Sequence, residues 1–192
     1  RDAVWCVCGV LMLLESADDT EKAFYLRHQK PALALKRGLK DHKQWEKYLF
    51  GKSQDRLVGR IFSLLGSALG PDLATRKLSD LGLNPQDAVS LTQKSRFTSF
   101  LSTVSKVLGV AVPMVYRDAL ARATRKEPLS PPILVAGPDV LTGRKGKELR
   151  FILGKAMAYF FPAHLLAGMY PAGHLRSLLI AAMSLAVADS VQ

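Results

Sequence analysis

The sequence predicts a mainly α protein with a small β element, an α+β fold, and three observations support this class. Across the first ninety or so residues, apolar positions recur at intervals of three and four, the period of a helix with one buried side. One more pattern of this kind, from Arg96 to Leu108, precedes the first short runs typical of strands, at 111–116 and 133–135. Hydrophobic residues make up 48% of the 192 residues and charged residues 22%, the balance of a globular protein with a sizeable core.

The first predicted helix is unusually apolar. Almost every residue from Val4 to Glu15 is apolar, so we expect a helix that is buried on all sides or packed beneath another element. Cys6 and Cys8 are too close in sequence for an unstrained disulfide, and we interpret them as small apolar residues of this buried helix. Free cysteines favour a reducing compartment, so the cytoplasm is the expected location.

Capping residues mark the starts of further helices in the N-terminal half. Asp41 and Asp55 each stand where a helix N-cap is expected, and Asp18, Asp19 and Thr20 together mark the start of another helix. The predicted helices that follow cover residues 22–35, 42–50 and 56–69, the last one ending at Gly70-Pro71. Residues 1–94 are therefore predicted to be a helical region, with the end of a helical-repeat array as one interpretation. A separate α+β domain over residues 95–192 is predicted from the family resemblance given below.

The C-terminal half alternates strands with helices. Pro113 favours an edge position for the strand at 111–116, because proline cannot donate to a neighbouring strand. Residues 118–126 are ambiguous between helix and loop. The apolar run at 133–135 predicts a short buried strand, and a confident helix pattern covers 148–161.

Two stretches carry a family resemblance. They read FTSFLSTVSKVLGVAVPMVY and PPILVAGPDVLTGRKGKELRFILGKAMAYFFPAH, and they place helix, strand, strand, turn and helix in that order. Roughly residues 95 to 190 resemble the core of the gluzincin peptidases. The text is more similar still to a degenerate version of that core at the end of large tetratricopeptide-repeat-associated proteins of myxobacteria and their relatives. The resemblance implies an α+β fold and a bacterial protein that works in a larger assembly.

The resemblance also predicts which residues would hold zinc. In a gluzincin the helix carries HExxH, with two histidine ligands four residues apart and a glutamate as general base. Gly154, Lys155 and Ala158 stand at those positions, and none of them can take over the role. The third ligand in the family is a glutamate, but Asp189 is the only acidic residue after Glu148. We therefore expect no metal, no cofactor and no enzymatic activity.

Gly154 and Ala158 also have a structural interpretation. Small residues four apart in a helix let another backbone approach closely, and this is the favoured role. The alternative is that the old cleft persists and binds a peptide strand against the sheet edge near residues 112–116.

The four histidines allow two interpretations. His164 and His174 could pair as metal ligands, or the first could form a hydrogen bond at a helix end while the second lies in solvent. No cysteine or acidic residue adjoins them in sequence, which favours the second interpretation. His28 and His42 lie among basic and amide residues and are expected to be exposed.

Basic residues dominate the charge, with a net charge of +11 from 27 lysines and arginines. A surplus of this size permits an anionic partner such as nucleic acid or an acidic protein. The loop around GRKGKELR and a second cluster near Trp45 supply the candidate contacts, which are Arg144, Lys145, Lys147, Arg150, Lys36, Arg37, Lys40 and Lys43. Solvated turns are the simpler explanation. Trp45 has helical spacing with its apolar neighbours, so packing or an interface is favoured over base stacking.

The function predicted from these features is a non-enzymatic protein–protein interaction or scaffold module within a larger assembly. Its partner would be another protein or a preceding helical-repeat segment, and a membrane partner is not expected. The alternative is a basic nucleic-acid-binding protein that uses the lysine and arginine clusters. The chain begins with Arg1 and not with Met, so it is expected to be a piece of something longer.

Overall fold

A computed structural model of the protein describes residues 2–28, 38–39, 41–73 and 76–189. The chain divides into two compact units, residues 1–36 and 37–192, and each is described by itself. Two helices that the sequence analysis placed in a region ending at residue 94 thus belong to the second compact unit. The domain boundary at residue 95 came from a family resemblance, which compactness does not test, and it stays a prediction.

The described residues are mainly helical. The helices are α1 (Asp2–Leu13), α2 (Asp19–Arg27), α3 (His42–Tyr48), α4 (Arg56–Leu73), α5 (Arg96–Leu108), α6 (Gly146–Ala158), α7 (Pro162–Met169) and α8 (Ala172–Asp189). The strands are β1 (Met114–Arg117), β2 (Thr124–Glu127) and β3 (Ile133–Ala136). Short 3-10 helices cover Leu78–Leu81 and Pro85–Asp87, and a π-helical turn covers Asp139–Gly143. The predicted class, mainly α with a small β element, is confirmed.

The first unit contains a pair of packed helices, α1 and α2. The Asp18 carboxylate accepts a hydrogen bond from the Glu21 N–H at 2.7 Å, and the Glu21 carboxylate accepts one from the Asp18 N–H at 2.9 Å. This reciprocal arrangement is a capping box, so the predicted start of α2 is confirmed. Trp5 stacks on Tyr25 with ring centroids 5.2 Å apart, which ties the two helices together. The predicted continuation of α2 past residue 28 lies outside the described residues.

The three strands form one sheet in the order β1-β3-β2. Ile133 of β3 is opposite Met114 of parallel β1 on one side and Glu127 of antiparallel β2 on the other. Every residue of β3 is buried, as expected for a central strand with an unbroken apolar sequence. β1 is an edge strand, as Pro113 predicted, although it begins at Met114 and not at residue 111.

Residues 118–126 were expected to be helix or loop, and this is wrong for the last of them, because strand β2 begins at Thr124. Arg125 lies 3.0 Å from the Asp118 carboxylate and 2.9 Å from the Glu127 carboxylate, and Arg76 lies 3.7 Å from Glu127. Glu127 is buried, so these two cations offset the cost of removing its charge from water. Arg76 is remote in sequence and β2 pairs with β3, so a local pattern could not have revealed this strand.

The main core lies between α5, α6 and the sheet. Leu101 of α5 and Leu153 and Met157 of α6 are fully buried, and each contributes about 1.5–3 kcal/mol on transfer from water. α5 begins at a Ser95 capping box and ends at Gly109, whose φ of 64° is the left-handed conformation that favours glycine. Both ends of this helix agree with the prediction.

The second long helix, α4, packs against α7. It was expected to end at Gly70-Pro71, but it continues to Leu73. Proline removes one backbone hydrogen bond and its ring crowds the carbonyl four residues earlier, which agrees with a helix that ends within one turn after Pro71. Within the described residues, no single helix combines the length and the apolar character needed to cross a bilayer. α6 and α7 meet that test only when they are joined, and a bend of 99° separates them.

Candidate functional site

The three residues at the positions of a zinc-peptidase motif lie on α6. Gly154 and Ala158 are partly buried, and Lys155 is exposed. Among the described residues, no three histidine, cysteine, aspartate or glutamate side chains lie close enough together to hold a metal ion. At the three motif positions α6 therefore carries a glycine without a side chain, a lysine ammonium group and an alanine methyl group, and none of these is a zinc ligand.

Close packing against another backbone was expected at Gly154 and Ala158. A Cβ atom placed on Gly154 would meet no atom within 4 Å, so this glycine leaves open space at the surface. Ala158, in contrast, packs at the margin of the main core. The expectation is wrong for Gly154 because α6 packs through another side, which carries Leu149, Leu153 and Met157.

The most exposed large apolar side chain of α6 is Phe151, which is 73% exposed. It lies three residues before Gly154, and Lys147 and Lys155 lie one turn away on either side of it. We call Lys147, Phe151, Gly154 and Lys155 the α6 face. The sequence analysis did not identify Phe151 as a surface residue. Its position outside the buried stripe of α6 is the signal that could have revealed it.

The two arginines of the GRKGKELR segment are engaged within the chain. Arg144 lies 2.6 Å from the Glu148 carboxylate and 3.5 Å from the Asp139 carboxylate. The guanidinium of Arg150 lies 4.4 Å from the ring centroid of Phe100, a cation–π contact. Both arginines therefore brace the start of α6.

The lysines around α6 are less constrained. Lys145, Lys147 and Lys155 are exposed, and none forms an ion pair with a carboxylate in the part of the chain that the structure describes. Lys126 reaches over from β2, with Nζ 4.1 Å from the ring centroid of Tyr159. Partial burial lowers the pKa of Lys126, and the nearby charge of Lys155 lowers it further. Lys147 and Lys155 thus place positive charge within one turn of Phe151, where the carboxylate of Glu148 is already paired with Arg144, and Lys126 adds charge farther along α6 at Tyr159.

The second basic cluster is only partly visible. Lys36, Arg37 and Lys40 lie outside the described residues, and Lys43 is exposed on α3. Trp45, near them in sequence, is 2% exposed and donates its indole N–H to the Leu108 carbonyl at 2.9 Å. Trp45 is therefore a core residue whose ring is not available to stack on a base.

Two histidines lie in an aromatic cluster of the second unit. Nδ1 of His164 is 3.4 Å from the Ala158 carbonyl, and Nε2 is 2.6 Å from the side-chain amide nitrogen of Gln54. With the proton on Nδ1, the neutral ring donates to the carbonyl and accepts from the amide. Burial lowers the pKa of His164; the Ala158 carbonyl opposes this shift and nearby His42 adds to it. The helix-end role expected for this residue agrees with these contacts.

The expectation that His42 is exposed is wrong. Its ring stacks on Phe161 with centroids 5.5 Å apart, and its side chain is about one-quarter exposed, at 28%. Phe161 is more than one hundred residues away, so the polar local sequence gave no sign of this contact. His174 is exposed near the start of α8, where its ring stacks on Tyr170 with centroids 4.7 Å apart. His28 is exposed at the end of α2.

In the first unit, α1 presents two apolar sides. The side with Trp5 and Cys8 is at least partly buried, and Trp5 contacts α2. The other side is exposed and carries residues at helical spacings of three and four, which we call the α1 outer stripe: Cys6, Val7, Val10, Leu13 and Leu14. Of the two expectations for α1, packing beneath another element agrees with its contact with α2, whereas burial on all sides does not hold, because α2 is too short and too polar to cover both sides.

The edge of β1 was the alternative place for a bound peptide strand. The Val89 N–H donates to the Val115 carbonyl at 2.8 Å, and Ala88 forms a bridge with Tyr116. The chain itself therefore occupies the outer edge of β1 at these residues, so an added strand cannot pair there.

Comparisons with known proteins give no relative: no family model, no curated protein and no solved structure matches this chain. The resemblance to a gluzincin core therefore stays a prediction, and the surfaces described above have to support the functional argument.

Proposed function

We propose that the chain is a non-enzymatic protein–protein interaction or scaffold module of a larger assembly. In this proposal, residues 95–192 form a gluzincin-like core without zinc ligands. The observation that carries the interaction role is the α1 outer stripe, a second apolar side on a helix whose first side already packs within its own unit.

Exposed apolar residues are common singly, but a contiguous stripe at helical spacing marks an interaction site. Val7, Val10 and Leu14 are 58%, 55% and 64% exposed. Their spacing of three and four is the one that lets a second helix pack along the first, with each side chain fitting between side chains of the partner. A helix of a partner protein, or a preceding helical repeat, would bury this stripe.

The non-enzymatic part of the proposal is supported by the residues on α6. A zinc hydrolase needs two histidine ligands and a carboxylate base on one helical face. Gly154, Lys155 and Ala158 offer no ligand, and the lysine would repel a cation. Metal analysis of the purified protein is expected to find no stoichiometric zinc, and zinc at one equivalent would contradict this part of the proposal.

A pull-down of the tagged full chain from its native cells tests the interaction role. The wash uses about 0.5 M salt, because screening at that concentration removes polyanions but leaves a buried apolar interface intact. The wild-type chain is expected to retain a stoichiometric protein partner, and the double variant Val7→Ser/Val10→Ser is expected to lose it. Leu120→Ser is the matched control, because Leu120 is 92% exposed but belongs to the second unit.

Two results would overturn the proposal. Equal retention of the partner by the double variant would remove the role of the α1 outer stripe. Nucleic acid that is captured at low salt and released at high salt, with no protein partner, would favour the nucleic-acid alternative. Far-ultraviolet circular dichroism of each variant shows that a loss of binding is not a loss of helix.

A further inference from the structure

We propose that the α6 face binds an acidic segment of a partner protein, and that an apolar side chain of this segment lies against Phe151. The inference rests on the proposed interaction role, but it uses residues other than the α1 outer stripe. It therefore names the chemistry of one partner segment and the place where it binds.

The shape of the α6 face suits an apolar anchor. Phe151 is 73% exposed, so most of its ring is left in water by its own chain. Gly154 follows one turn later, and no atom lies within 4 Å of the place where its Cβ would be. The exposed ring and the open space at Gly154 leave room for one apolar side chain against the ring, and a central aromatic residue is typical of the most tightly bound part of an interface.

The charges around the ring determine the sign of the partner. Lys147 and Lys155 flank Phe151 on the same side of the helix, and both lack a carboxylate partner among the described residues. Lys126 approaches from β2, where the charge of Lys155 opposes its own. A carboxylate placed between these amines would relieve this repulsion, so an acidic segment is electrostatically complementary to the α6 face.

Nucleic acid fits the α6 face less well. Arginine forks are the usual contacts for phosphate, but Arg144 is held by Glu148 and Asp139 and Arg150 lies on Phe100. Proteins that bind single-stranded nucleic acid also stack successive bases on several aromatic rings. On α6, Phe151 is the only large apolar side chain that is more than one-third exposed.

A lipid surface fits less well for a related reason. An interfacial helix inserts a whole apolar side into the bilayer, with several large residues along its length. The α6 face offers one ring, and the apolar stripe of α6 is already buried in the core through Leu149, Leu153 and Met157.

The test begins with a selection that does not assume a sequence. The immobilised full chain selects from a displayed library of random peptides of about 12 residues, long enough to cross one helix face. Selection at about 0.1 M salt keeps electrostatic contacts effective, since the Debye length is then about 10 Å. The expected result is enrichment of peptides that combine several aspartates or glutamates with an aromatic or aliphatic residue.

Binding of one selected peptide, labelled with fluorescein, is then measured by anisotropy against variants of the full chain. Phe151→Ala and Lys155→Glu are each expected to weaken binding at least about tenfold, the size of a hot-spot effect. Gly154→Leu should also weaken binding by filling the open space. Leucine favours a helix more than glycine does, so this loss could not come from unfolding of α6. Leu120→Ala and Lys106→Glu are the matched controls, because both residues are exposed on other elements, and both variants should bind like the wild type.

Three outcomes would overturn the inference. The first is a selection that enriches no acidic peptides, and the second is unchanged peptide affinity in Phe151→Ala. The third is that the peptide does not bind, while a labelled oligonucleotide or phosphatidylserine vesicles bind in a way that depends on Phe151. The variant Val7→Ser/Val10→Ser should bind the peptide normally. If it also keeps its cellular partner, the proposed function loses its main support while the peptide result still stands, so the two failures can be distinguished.

Discussion

Each compact unit contains one tryptophan, Trp5 in the first and Trp45 in the second, and the surroundings of the two rings differ. Each indole N–H donates to a backbone carbonyl, at 3.3 Å to Tyr25 for Trp5 and at 2.9 Å to Leu108 for Trp45. Trp45 is fully buried and stacks on Phe161 with centroids 4.1 Å apart, whereas Trp5 is partly exposed and stacks on Tyr25 alone. The second unit contains a core that excludes water from its aromatic rings, and the first unit does not.

This difference determines which apolar surface each unit leaves exposed. In the second unit α5, α6 and the sheet bury each other's apolar residues, and Phe151 is the one large apolar side chain that α6 leaves exposed. In the first unit α2 carries mostly polar residues and covers only one side of α1. The surface that remains on α1 is therefore a contiguous stripe. The predictions below test this comparison.

Trp45→Ala should cause the largest loss of stability. Removing a buried tryptophan leaves a cavity and a carbonyl without its donor, so we expect the free energy of unfolding to fall by about 3–5 kcal/mol. Trp5→Ala should cost less, about 2 kcal/mol, because its ring is only partly buried and stacks on Tyr25. Urea denaturation followed by circular dichroism measures both, and equal losses would contradict the comparison.

The two sides of α6 should respond differently to truncation. Leu153 is fully buried, and Leu153→Ala should lower the free energy of unfolding by about 2–5 kcal/mol. Phe151→Ala should change it by no more than about 0.5 kcal/mol, because the ring is mostly in water. Urea denaturation of both variants is the measurement, and a large loss in Phe151→Ala would show that the α6 face is part of the core.

The second unit should lose stability in mild acid through His164. Its folded pKa lies below the ordinary value of about 6.5 because burial disfavours the imidazolium. The unfolded chain therefore binds more protons between these two pKa values. Stability is full above about pH 6.5, falls as the pH decreases, and levels off below the folded pKa. Thermal unfolding across this range tests the prediction. In His164→Phe the slope should become shallower, and an unchanged slope would assign it to other groups.

The smallest effect concerns the lysines beside the α6 face. Lys155→Gln removes the like charge near Lys126, so the pKa of Lys126 should rise toward its ordinary value while burial still holds it below. NMR titration of the Lys126 side-chain methylenes measures this shift. Stability should change by no more than about 0.5 kcal/mol, because Lys155 is exposed and solvent screens its repulsion with Lys126. No movement of the Lys126 pKa would show that the two charges do not interact.

The sequence predicted elements whose causes are local. The 3-and-4 spacing of apolar residues predicted α5 over residues 96–108, and the structure shows the local causes of its two ends, a capping box at Ser95 and the left-handed Gly109. Pro113, which cannot donate a backbone hydrogen bond, likewise predicted the edge position of β1. Each of these signals depends on a few neighbouring residues, so reading the chain from end to end was sufficient.

The features that were missed depend on distant residues. Residues 118–126 gave no clear pattern because β2 is held by its pairing with β3 and by Arg76. The burial of His42 depends on Phe161, and the exposure of α1 depends on which residues α2 offers. Composition predicted how apolar α1 is, but it could not predict whether another helix or strand of the chain packs on its second side.

The unequal exposure of the two cysteines has a practical consequence. Cys6 is exposed on the α1 outer stripe, and Cys8 is buried on the other side of the same helix. A thiol-specific reagent should therefore modify one position in the native protein and two after denaturation, which intact-mass spectrometry can count. The unaltered protein thus offers a single attachment point for a spin label or a photo-crosslinker, on the surface where a partner helix is expected.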